Sequence, residues 1–180
     1  MDTMQYTHLY RSPLGTITLA ADSEGLTGLW FEGQKYFAAT LDAQHEETML
    51  PIFEQTRRRL DNYFGGNDPG PTPPLHLQGS PFRLAVWEIL RQIPFGKTIT
   101  YGEIAREIAR RQGSKTVPAQ AVGGAVGHNP VSIIVPCHRV VGSNGSLTGY
   151  AGGIERKVRL LALEKADMTG LFAPQKGTAL

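Results

Sequence analysis

The chain has 180 residues and a mass of 19.6 kDa, which is enough for one ordinary domain or two small ones. Its single cysteine excludes an internal disulfide and any zinc or iron–sulfur site built from several thiolates. No run of eighteen apolar residues occurs, and the first residues lack the apolar segment of a secretion signal. We therefore expect a cytoplasmic protein without a membrane span.

Charge is distributed unevenly along the chain. Residues 1–78 carry five Lys/Arg and ten Asp/Glu, a net charge of −5. Residues 79–180 carry thirteen Lys/Arg and six Asp/Glu, a net charge of +7. A basic half suggests a polyanionic partner such as nucleic acid, and a solvated surface is the alternative.

The front half begins with strand-like segments that are separated by turn signals. The segments are His8–Arg11, Thr16–Ala20 and Leu26–Phe31. They predict an antiparallel meander with one buried face. A helix follows, predicted from the recurrence at three- and four-residue steps of Met49, Phe53, Thr56, Leu60 and Phe64. Its arginines, Arg57–Arg59, are expected on a solvated outer side.

A proline-rich linker divides the sequence. Residues 67–74 hold four prolines and no large apolar residue, so this stretch should be extended. We place the domain boundary near residue 78, which gives an N-terminal domain of residues 1–78 and a C-terminal domain of residues 79–168. The tail, residues 169–180, shows no periodicity and is expected to be loosely held.

The back half is predicted to be helical. Ser80-Pro81 begins a helix that ends before Pro94, and Thr100–Glu103 fits the T-x-x-E capping box of a second helix, which Gly113 closes. Pro118 begins a third, and the last runs over residues 154–165. The second and third helices, 100–112 and 118–127, resemble a helix-turn-helix, a signal that the +7 charge strengthens.

Cys137 stands in an unusual context. An apolar run, residues 133–135, leads to Pro136-Cys137, and an imidazole and a guanidinium follow at once in His138 and Arg139. Positive charge nearby increases the thiolate fraction, and the thiolate is the nucleophile. A lone cysteine is otherwise most often a small buried hydrophobic residue. The flanking residues favour a reactive thiol.

His138 and two further residues complete this candidate site. Neighbouring side chains in an extended segment point to opposite faces, so His138 reaches Cys137 only if the backbone turns, or through a water. A carboxylate is the usual group that orients such an imidazole, and Glu164 is the available candidate, with a surface helix position as the alternative. Asn129, in the turn signal Asn129-Pro130, can bond the backbone of the turn that positions Cys137.

The motifs around this cysteine carry a resemblance. The block P-C-H-R-V at residues 136–140 follows Asn129-Pro130 and precedes G-Y-A-G-G at residues 149–153. With T-Y-G-E-I-A at residues 100–105 and A-V-G-G-A at residues 121–125, the chain resembles the O6-alkylguanine-DNA alkyltransferases (methylated-DNA–protein-cysteine methyltransferases). The resemblance is strong over residues 80–165, whereas the front half agrees in layout and length.

The resemblance implies an α+β fold. The N-terminal domain would be ribonuclease-H-like, a small antiparallel sheet with a helix, and the C-terminal domain a mostly helical winged-helix or helix-turn-helix domain. It also implies DNA repair by direct, stoichiometric alkyl transfer. Cys137 would take the alkyl group from O6 of guanine in double-stranded DNA and keep it, so that one chain repairs one lesion.

The resemblance also implies roles for individual residues. His138 would receive the thiol proton through a water, with Glu164 orienting the imidazole. Tyr101 would donate a proton or hydrogen bond to the departing guanine, and Asn129 would hold the turn. The second helix of the helix-turn-helix would enter the minor groove. The substrate- and DNA-binding residues would be Gln120, Ala121, Gly123, Arg139, Val140, Tyr150, Ala151 and Lys157, with the backbone of Val140 and Ala151 reading the base.

Two departures from the family pattern are visible. Gln120 stands where the family commonly has an arginine that fills the gap left by the flipped base, and about five residues are inserted around residues 109–117. We expect no cofactor and no metal, because the relatives that bind zinc do so through cysteines. We expect a monomer, while clustering on DNA, alkyl-size preference and activity on O4-alkylthymine stay open.

Other classes of function compete with this one. A cysteine hydrolase or acyltransferase would use the same Cys-His chemistry and regenerate the thiol. A non-catalytic DNA-damage-binding module is disfavoured, because relatives of that type have lost the cysteine. A redox-sensing transcription factor is disfavoured because the chain has no resolving cysteine.

Overall fold

The computed structural model describes residues 4–174, which form two compact units. The first contains the chain up to Gln78 together with Pro130–Ile134, and the second contains Gly79–Asn129 and the chain from Val135 onward. Residues Pro130–Ile134 lie within the predicted domain 79–168 yet group with the first unit. The reason is backbone pairing, because the Leu29 N–H donates to Pro130 O at 2.8 Å and the Ser132 N–H donates to Leu29 O at 3.0 Å.

The first unit is built on a four-stranded sheet in the order β3-β2-β1-β4. The strands are β1 (Gln5–Ser12), β2 (Gly15–Ala21), β3 (Leu26–Phe31) and β4 (His45–Glu47). The predicted antiparallel meander β1-β2-β3 is confirmed. The edge strand β4 pairs in parallel with β1 and was not predicted, because its three residues are polar and exposed and show no apolar alternation.

Strand β3 corrects the expectation of one buried face. All six residues, Leu26–Phe31, are buried. Their sequence, L-T-G-L-W-F, is a nearly continuous apolar run, and such runs are typical of strands that are covered on both sides.

Helix α1 (Pro51–Phe64) buries Phe53, Thr56, Leu60 and Tyr63. Met49 precedes the helix and is 44% exposed, so the predicted stripe began one turn too early. The helix begins after Leu50 because Pro51 occupies its first position, where a missing N–H costs nothing. The predicted solvated side is present at Arg57 and Arg58, which are exposed.

The end of the proline-rich stretch is held by the first unit. The Leu26 N–H donates to Pro74 O at 2.9 Å, and the His76 N–H donates to Leu26 O at 2.8 Å. The His76 ring also contacts carboxylates of the β2–β3 turn, with Nδ1 2.5 Å from Asp22 Oδ2 and Nε2 3.0 Å from Glu24 Oε2.

The second unit is mainly helical. Its elements are α2 (Pro81–Arg91), β5 (Ile99–Thr100), α3 (Tyr101–Gln112), α4 (Ala119–Gly127), a 3-10 turn (Cys137–Arg139), β6 (Val140–Val141) and α5 (Ile154–Leu163). The predicted caps are confirmed: Ser80 accepts from the Arg83 N–H, Thr100 and Glu103 form the capping box, and Gly113 ends α3 in the left-handed conformation at φ 67°. The α+β class is therefore confirmed, with a small N-terminal sheet and a helical C-terminal part.

Two further expectations concern the termini and membranes. The segment Met168–Phe172, called the C-terminal strap below, is not loose, because the Leu147 N–H donates to Phe172 O at 2.9 Å and the Phe172 N–H donates to Gly145 O at 3.0 Å. Residues 175–180 of the predicted tail lie outside the described residues. Within residues 4–174, no helix combines the length and apolar character that a membrane span requires.

Candidate active site

Cys137 begins the 3-10 turn that directly follows Pro136. Its N–H donates to Val135 O at 2.8 Å, so the backbone reverses over Pro136, which has φ −82° and ψ 65°. Asn129 holds this reversal, since its Nδ2 donates to Val135 O at 2.7 Å and its side chain also hydrogen-bonds the thiol. The backbone therefore turns at Cys137, which is one of the two ways in which His138 was expected to reach the thiol.

The thiol is buried, with Cys137 only 4% exposed. Burial raises the pKa of Cys137 above its ordinary value, and the Asn129 hydrogen bond and the charge of Lys157 lower that pKa by less. The sequence suggested that neighbouring positive charge would enrich the thiolate. In the structure burial outweighs that charge, so the resting group is a thiol at neutral pH.

His138 and Glu164 form a buried pair. His138 Nε2 lies 2.6 Å from Glu164 Oε2, and both side chains are inaccessible to solvent. Glu164 caps the end of α5, and the Gly96 N–H donates to its Oε1 at 2.9 Å. The surface alternative considered for Glu164 is thus excluded.

Arg139 is the second partner of Glu164. Its Nε donates to Oε1 at 2.8 Å and its Nη2 donates to Oε2 at 3.1 Å, which gives a two-point carboxylate contact. Its Nη1 donates to Ile93 O at 2.6 Å, and the guanidinium lies 5.9 Å from the centre of the Phe95 ring. The Arg139 guanidinium therefore makes its contacts inside the protein, with Glu164, Ile93 and Phe95.

These contacts determine the charge states of the pair. Burial lowers the pKa of His138 below its ordinary value, although Glu164 raises it by less. Burial alone would raise the pKa of Glu164, but its hydrogen bonds and ion pairs with His138 and Arg139 hold that pKa well below the usual range. A neutral imidazole therefore donates from Nε2 to an ionised Glu164, and Nδ1 is the basic nitrogen.

Lys157 is a fully buried ammonium, with 0% exposure. Its Nζ donates to the carbonyl oxygens of Val140 and Thr148. Burial lowers the pKa of Lys157 to about 8, and the proximity of Cys137 raises it by less. The group that raises this pKa is Cys137, so an ionised Cys137 and this ammonium would stabilise each other.

Tyr101 approaches the same region from the first turn of α3. Its hydroxyl donates to Thr148 O at 3.2 Å, so the Thr148 carbonyl accepts from both Tyr101 and Lys157. Burial raises the pKa of Tyr101, and the charge of Cys137 raises it further. The phenol is thus a protonated donor near the thiol at every physiological pH.

The segment after Thr148 packs on the imidazole. Tyr150 is buried and lies edge-on to His138, with ring centres 6.4 Å apart. Gly152 is required here, because a Cβ at that position would lie 2.5 Å from the Tyr150 ring. Ala151, which stands between Tyr150 and Gly152 in the sequence, is half-buried. Gly153, at φ 94°, is the N-cap of α5.

The nucleic-acid interface implied by the resemblance would lie on α3 and α4. Gln120 and Ala121 are exposed at the start of α4, and a side chain at Gly124 would meet no atom within 4 Å. On α3, Arg110 and Arg111 both contact Glu107, at 2.7 Å and 2.9 Å. The charges of Arg110 and Arg111 are therefore partly neutralised by Glu107, while Arg106 and Lys115 are exposed.

The chain is similar to known proteins over both of its halves. Two family models match the chain: the ribonuclease-like domain of 6-O-methylguanine DNA methyltransferase over residues 5–75, and its DNA-binding domain over residues 81–166. The chain is 42% identical to the methylated-DNA–protein-cysteine methyltransferase of Haemophilus influenzae, over 92% of this chain and 88% of that protein. The chain belongs to the 6-O-methylguanine DNA methyltransferase family.

Solved structures agree with this assignment. The crystal structure of Mycobacterium tuberculosis OGT in complex with DNA has a TM-score of 0.77 and 40% identity, covering 93% of this chain and 99% of that one. The structure of Mycobacterium tuberculosis O6-methylguanine methyltransferase gives a TM-score of 0.74 and 41% identity, covering 92% and 98%. The family resemblance stated from the motifs is confirmed.

Within this methyltransferase frame, the predicted binding residues divide into two groups. Gln120 and Ala121 are on the surface, Ala151 is half-buried, and Val140 contributes a buried backbone. The remaining members are buried, and their binding role stays a prediction. Gly123 is on the inner side of α4, Arg139 bonds Glu164 and Ile93, Tyr150 packs on His138, and Lys157 bonds two carbonyls.

The burial of Arg139 and Lys157 was not anticipated from the sequence. The resemblance assigned both residues to substrate and DNA binding, and that role stays a prediction. A signal for Lys157 existed: it lies three residues after Ile154 and four before Leu161, on the inward stripe of α5. No local pattern indicated the contacts of Arg139, because they join residues far apart in the chain.

One cluster outside this site has metal-ligand chemistry. Asp22, Glu24 and His76 place three candidate ligand atoms within 4.8 Å of one another. Both His76 ring nitrogens already face carboxylates, so the cluster is internally compensated. The argument against zinc concerned cysteine ligands and does not address these residues, so the expectation of no metal stays a prediction.

Proposed function

We propose that this chain repairs DNA by transferring the methyl group of O6-methylguanine to the sulfur of Cys137, once per molecule. The observation that carries the proposal is the Cys137 turn with the His138–Glu164 pair beside it, in a chain of the methyltransferase family. A thiol, a neutral imidazole and an orienting carboxylate are the components of an activated cysteine nucleophile.

The reaction consumes one thiol and one methylated base. The Cys137 Sγ–carbon bond forms as the bond between O6 and the methyl carbon breaks, which leaves a thioether and guanine. The thiol proton goes to His138 Nδ1 through a water, and Glu164 stabilises the imidazolium that results. Because burial keeps the resting group a thiol, this proton transfer accompanies substrate arrival rather than preceding it.

Two further groups act on charge that develops during transfer. The Lys157 ammonium stabilises the thiolate in a water-poor site, where electrostatic interactions are strong. The Tyr101 hydroxyl supplies a proton or hydrogen bond to the departing guanine, which is a poor leaving group as an anion. If Tyr101 gives up its proton, the proton held by His138 restores the phenol, so that the thiol proton is accounted for in guanine. In the structure that hydroxyl is directed to Thr148 O, so it changes partner when the base enters.

Burial of Cys137 dictates how DNA must bind. Cys137 is only 4% exposed, so its sulfur cannot reach O6 of a base stacked in a duplex, and the nucleotide must be flipped into the protein. We propose that α4 enters the minor groove, that Gln120 occupies the gap in the duplex, and that the backbone of Val140 and Ala151 reads the base. The small exposed face at Ala121 and Gly124 permits close approach.

The remaining features of the proposal concern the state of the protein. It binds as a monomer, and exposed cations such as Arg106 and Lys115 contact phosphates. We propose a cytoplasmic location. Affinity for an unmodified duplex should fall steeply as salt is added, because phosphate contacts release counterions, and a flat response would contradict the phosphate contacts.

The test of the proposed function locates the methyl group. The chain is incubated with a duplex that contains one O6-methylguanine, and its peptides are weighed. The peptide containing Cys137 should gain one methyl group. Cys137→Ala should repair nothing and bind the duplex as the wild type does, which separates chemistry from binding. Loss of the lesion with no modified peptide would contradict the proposal and favour a hydrolase.

A further inference from the structure

The C-terminal strap, Met168–Phe172, is fixed to one loop of the second unit, Gly142–Leu147. The loop is closed by its own backbone bonds, since the Gly142 N–H donates to Ser146 O at 2.8 Å and the Gly145 N–H donates to Gly142 O at 2.9 Å. The strap adds two bonds, from the Leu147 N–H to Phe172 O and from the Phe172 N–H to Gly145 O. The loop is thereby held from outside as well as from within.

Close approach between strap and loop depends on Gly145. This residue has φ 91°, and a Cβ on it would lie 2.0 Å from Gly170 O. Any side chain at position 145 would both strain the loop backbone and displace the strap. The sequence therefore permits the strap to lie directly on the loop.

Apolar side chains anchor the strap. Met168 and Leu171 pack against a buried cluster formed by Val141, Leu147, Leu161 and Ala166. Phe172, in contrast, is 46% exposed and contributes to the loop through its backbone. Apolar packing and backbone pairing are thus supplied by different residues of the strap, so substitutions can test them separately.

The loop leads directly to the Cys137 site. Thr148 follows Leu147, and its carbonyl accepts from the Tyr101 hydroxyl at 3.2 Å and from Lys157 Nζ at 3.3 Å. Both donors interact electrostatically with Cys137. One carbonyl therefore helps to position two groups that act in the proposed transfer, although Lys157 is also held by Val140 O.

We infer that the C-terminal strap is a positioning element for methyl transfer, holding the Thr148 carbonyl where it aligns Tyr101 and Lys157 with Cys137. This inference rests on the proposed function. Displacements of about 1 Å in such supporting structure can lower a rate by up to about 100-fold, so an effect on the chemical step is expected.

The test uses the one-turnover character of the reaction. Leu171→Asp loosens the anchor, Gly145→Ala displaces the strap, and Phe172→Ala is the matched control that keeps the backbone bonds. Each chain is mixed with saturating O6-methylguanine duplex, and three quantities are measured: the first-order transfer rate constant, the final number of methyl groups per chain, and the duplex Kd.

A positioning role predicts a specific combination of results. Leu171→Asp and Gly145→Ala should lower the rate constant about tenfold or more while each chain still ends with one methyl group and an unchanged Kd. Phe172→Ala should match the wild type, and Leu171→Met should restore most of the rate constant lost in Leu171→Asp.

A merely structural role predicts the opposite combination. It would leave a normal rate constant and fewer than one methyl group per chain, because only the folded fraction reacts, and that result in both strap variants would overturn the inference. Failure of the proposed function is distinguishable, since the wild type itself would then carry no methyl group on Cys137.

Discussion

The two units of this protein bury polar groups in different ways. In the first unit, within residues 4–174, the buried polar side chains are mostly neutral glutamine and threonine, and Asp22 is the buried charged one. Among the described residues, the second unit buries four ionisable side chains besides the thiol of Cys137 and the phenols of Tyr101 and Tyr150. They are His138, Arg139, Lys157 and Glu164.

The difference shows that the second unit, more than the first, bears the free-energy cost of burying charged side chains. Burying a charge is costly unless hydrogen bonds and an opposite charge compensate it, and apolar residues of the same size often serve stability as well or better. A concentration of such groups around one cysteine therefore indicates chemistry rather than stability. The front sheet, which the proposed reaction does not use, is free of most of this cost.

The largest effect is expected for Glu164→Gln. The variant removes the negative charge that His138 and Arg139 share in the interior, and breaking such a buried pair costs about 3–5 kcal/mol. Transfer should slow by roughly 10²–10⁴-fold, since the imidazole loses the partner that stabilises its charged form. Denaturant unfolding and single-turnover kinetics measure the two effects.

The pH dependence of that loss has a definite sign. Because the pKa of Glu164 is lowered in the folded state, its stabilisation is fully present at pH 7 and disappears as the pH falls through the acid range. The free energy difference between wild type and Glu164→Gln should therefore shrink in acid. A difference that grew in acid would contradict the assigned ion pairs.

Lys157→Met tests the second buried charge. Burial lowers the pKa of Lys157 to about 8 from 10.5, so between these values the unfolded chain binds a proton that the folded chain does not. Stability of the wild type relative to Lys157→Met should thus rise with pH, by about 3 kcal/mol between pH 8 and 10.5. Unfolding curves across this range check the slope, and a flat difference would show that the ammonium is solvated.

Asp22→Asn supplies the matched change in the first unit. It replaces a buried carboxylate by its amide, as Glu164→Gln does, but its partner His76 is partly exposed and Glu24 remains beside that ring. We expect a loss of about 1–3 kcal/mol and an unchanged transfer rate constant. A large fall in the rate constant would contradict the view that the buried charges of the second unit, and not those of the first, serve the transfer.

Glu54→Gln should have the smallest effect. Glu54 lies 3.5 Å from Arg58 on the outside of α1, and the two side chains are 47% and 75% exposed. Water screens such a pair, so the free energy of unfolding should change by less than about 0.5 kcal/mol. A larger loss would mean that the front surface is organised electrostatically in a way the fold does not show.

Local signals explain what the sequence could predict. Ser80, the Thr100–Glu103 box and Gly113 each satisfy or release backbone groups within a few residues, so the helix ends follow from nearby chemistry. The same holds for the turn at Asn129 and Cys137. Glu164 could be named as a candidate because few carboxylates lie near the end of the last helix.

Long-range contacts explain what the sequence could not predict. Strand β4 has no apolar alternation and is held by parallel pairing with β1. The contacts of Arg139 join residues 46 and 25 positions apart, and the strap returns to a loop whose polar sequence suggests only a turn. Lys157 is buried because it lies on the same face of α5 as the apolar residues Leu160 and Leu161. A lysine is usually exposed, so residue type alone would not predict this burial.

The central claim is that the buried charges serve a sulfur that is used once. The most direct measurement mixes a known amount of protein with an excess of duplex containing O6-methylguanine and follows both partners to completion. We predict that lesions disappear until one has been repaired for each chain, and that every Cys137 then carries one methyl group. Repair that continues beyond one lesion per chain, with Cys137 still a free thiol, would contradict the account.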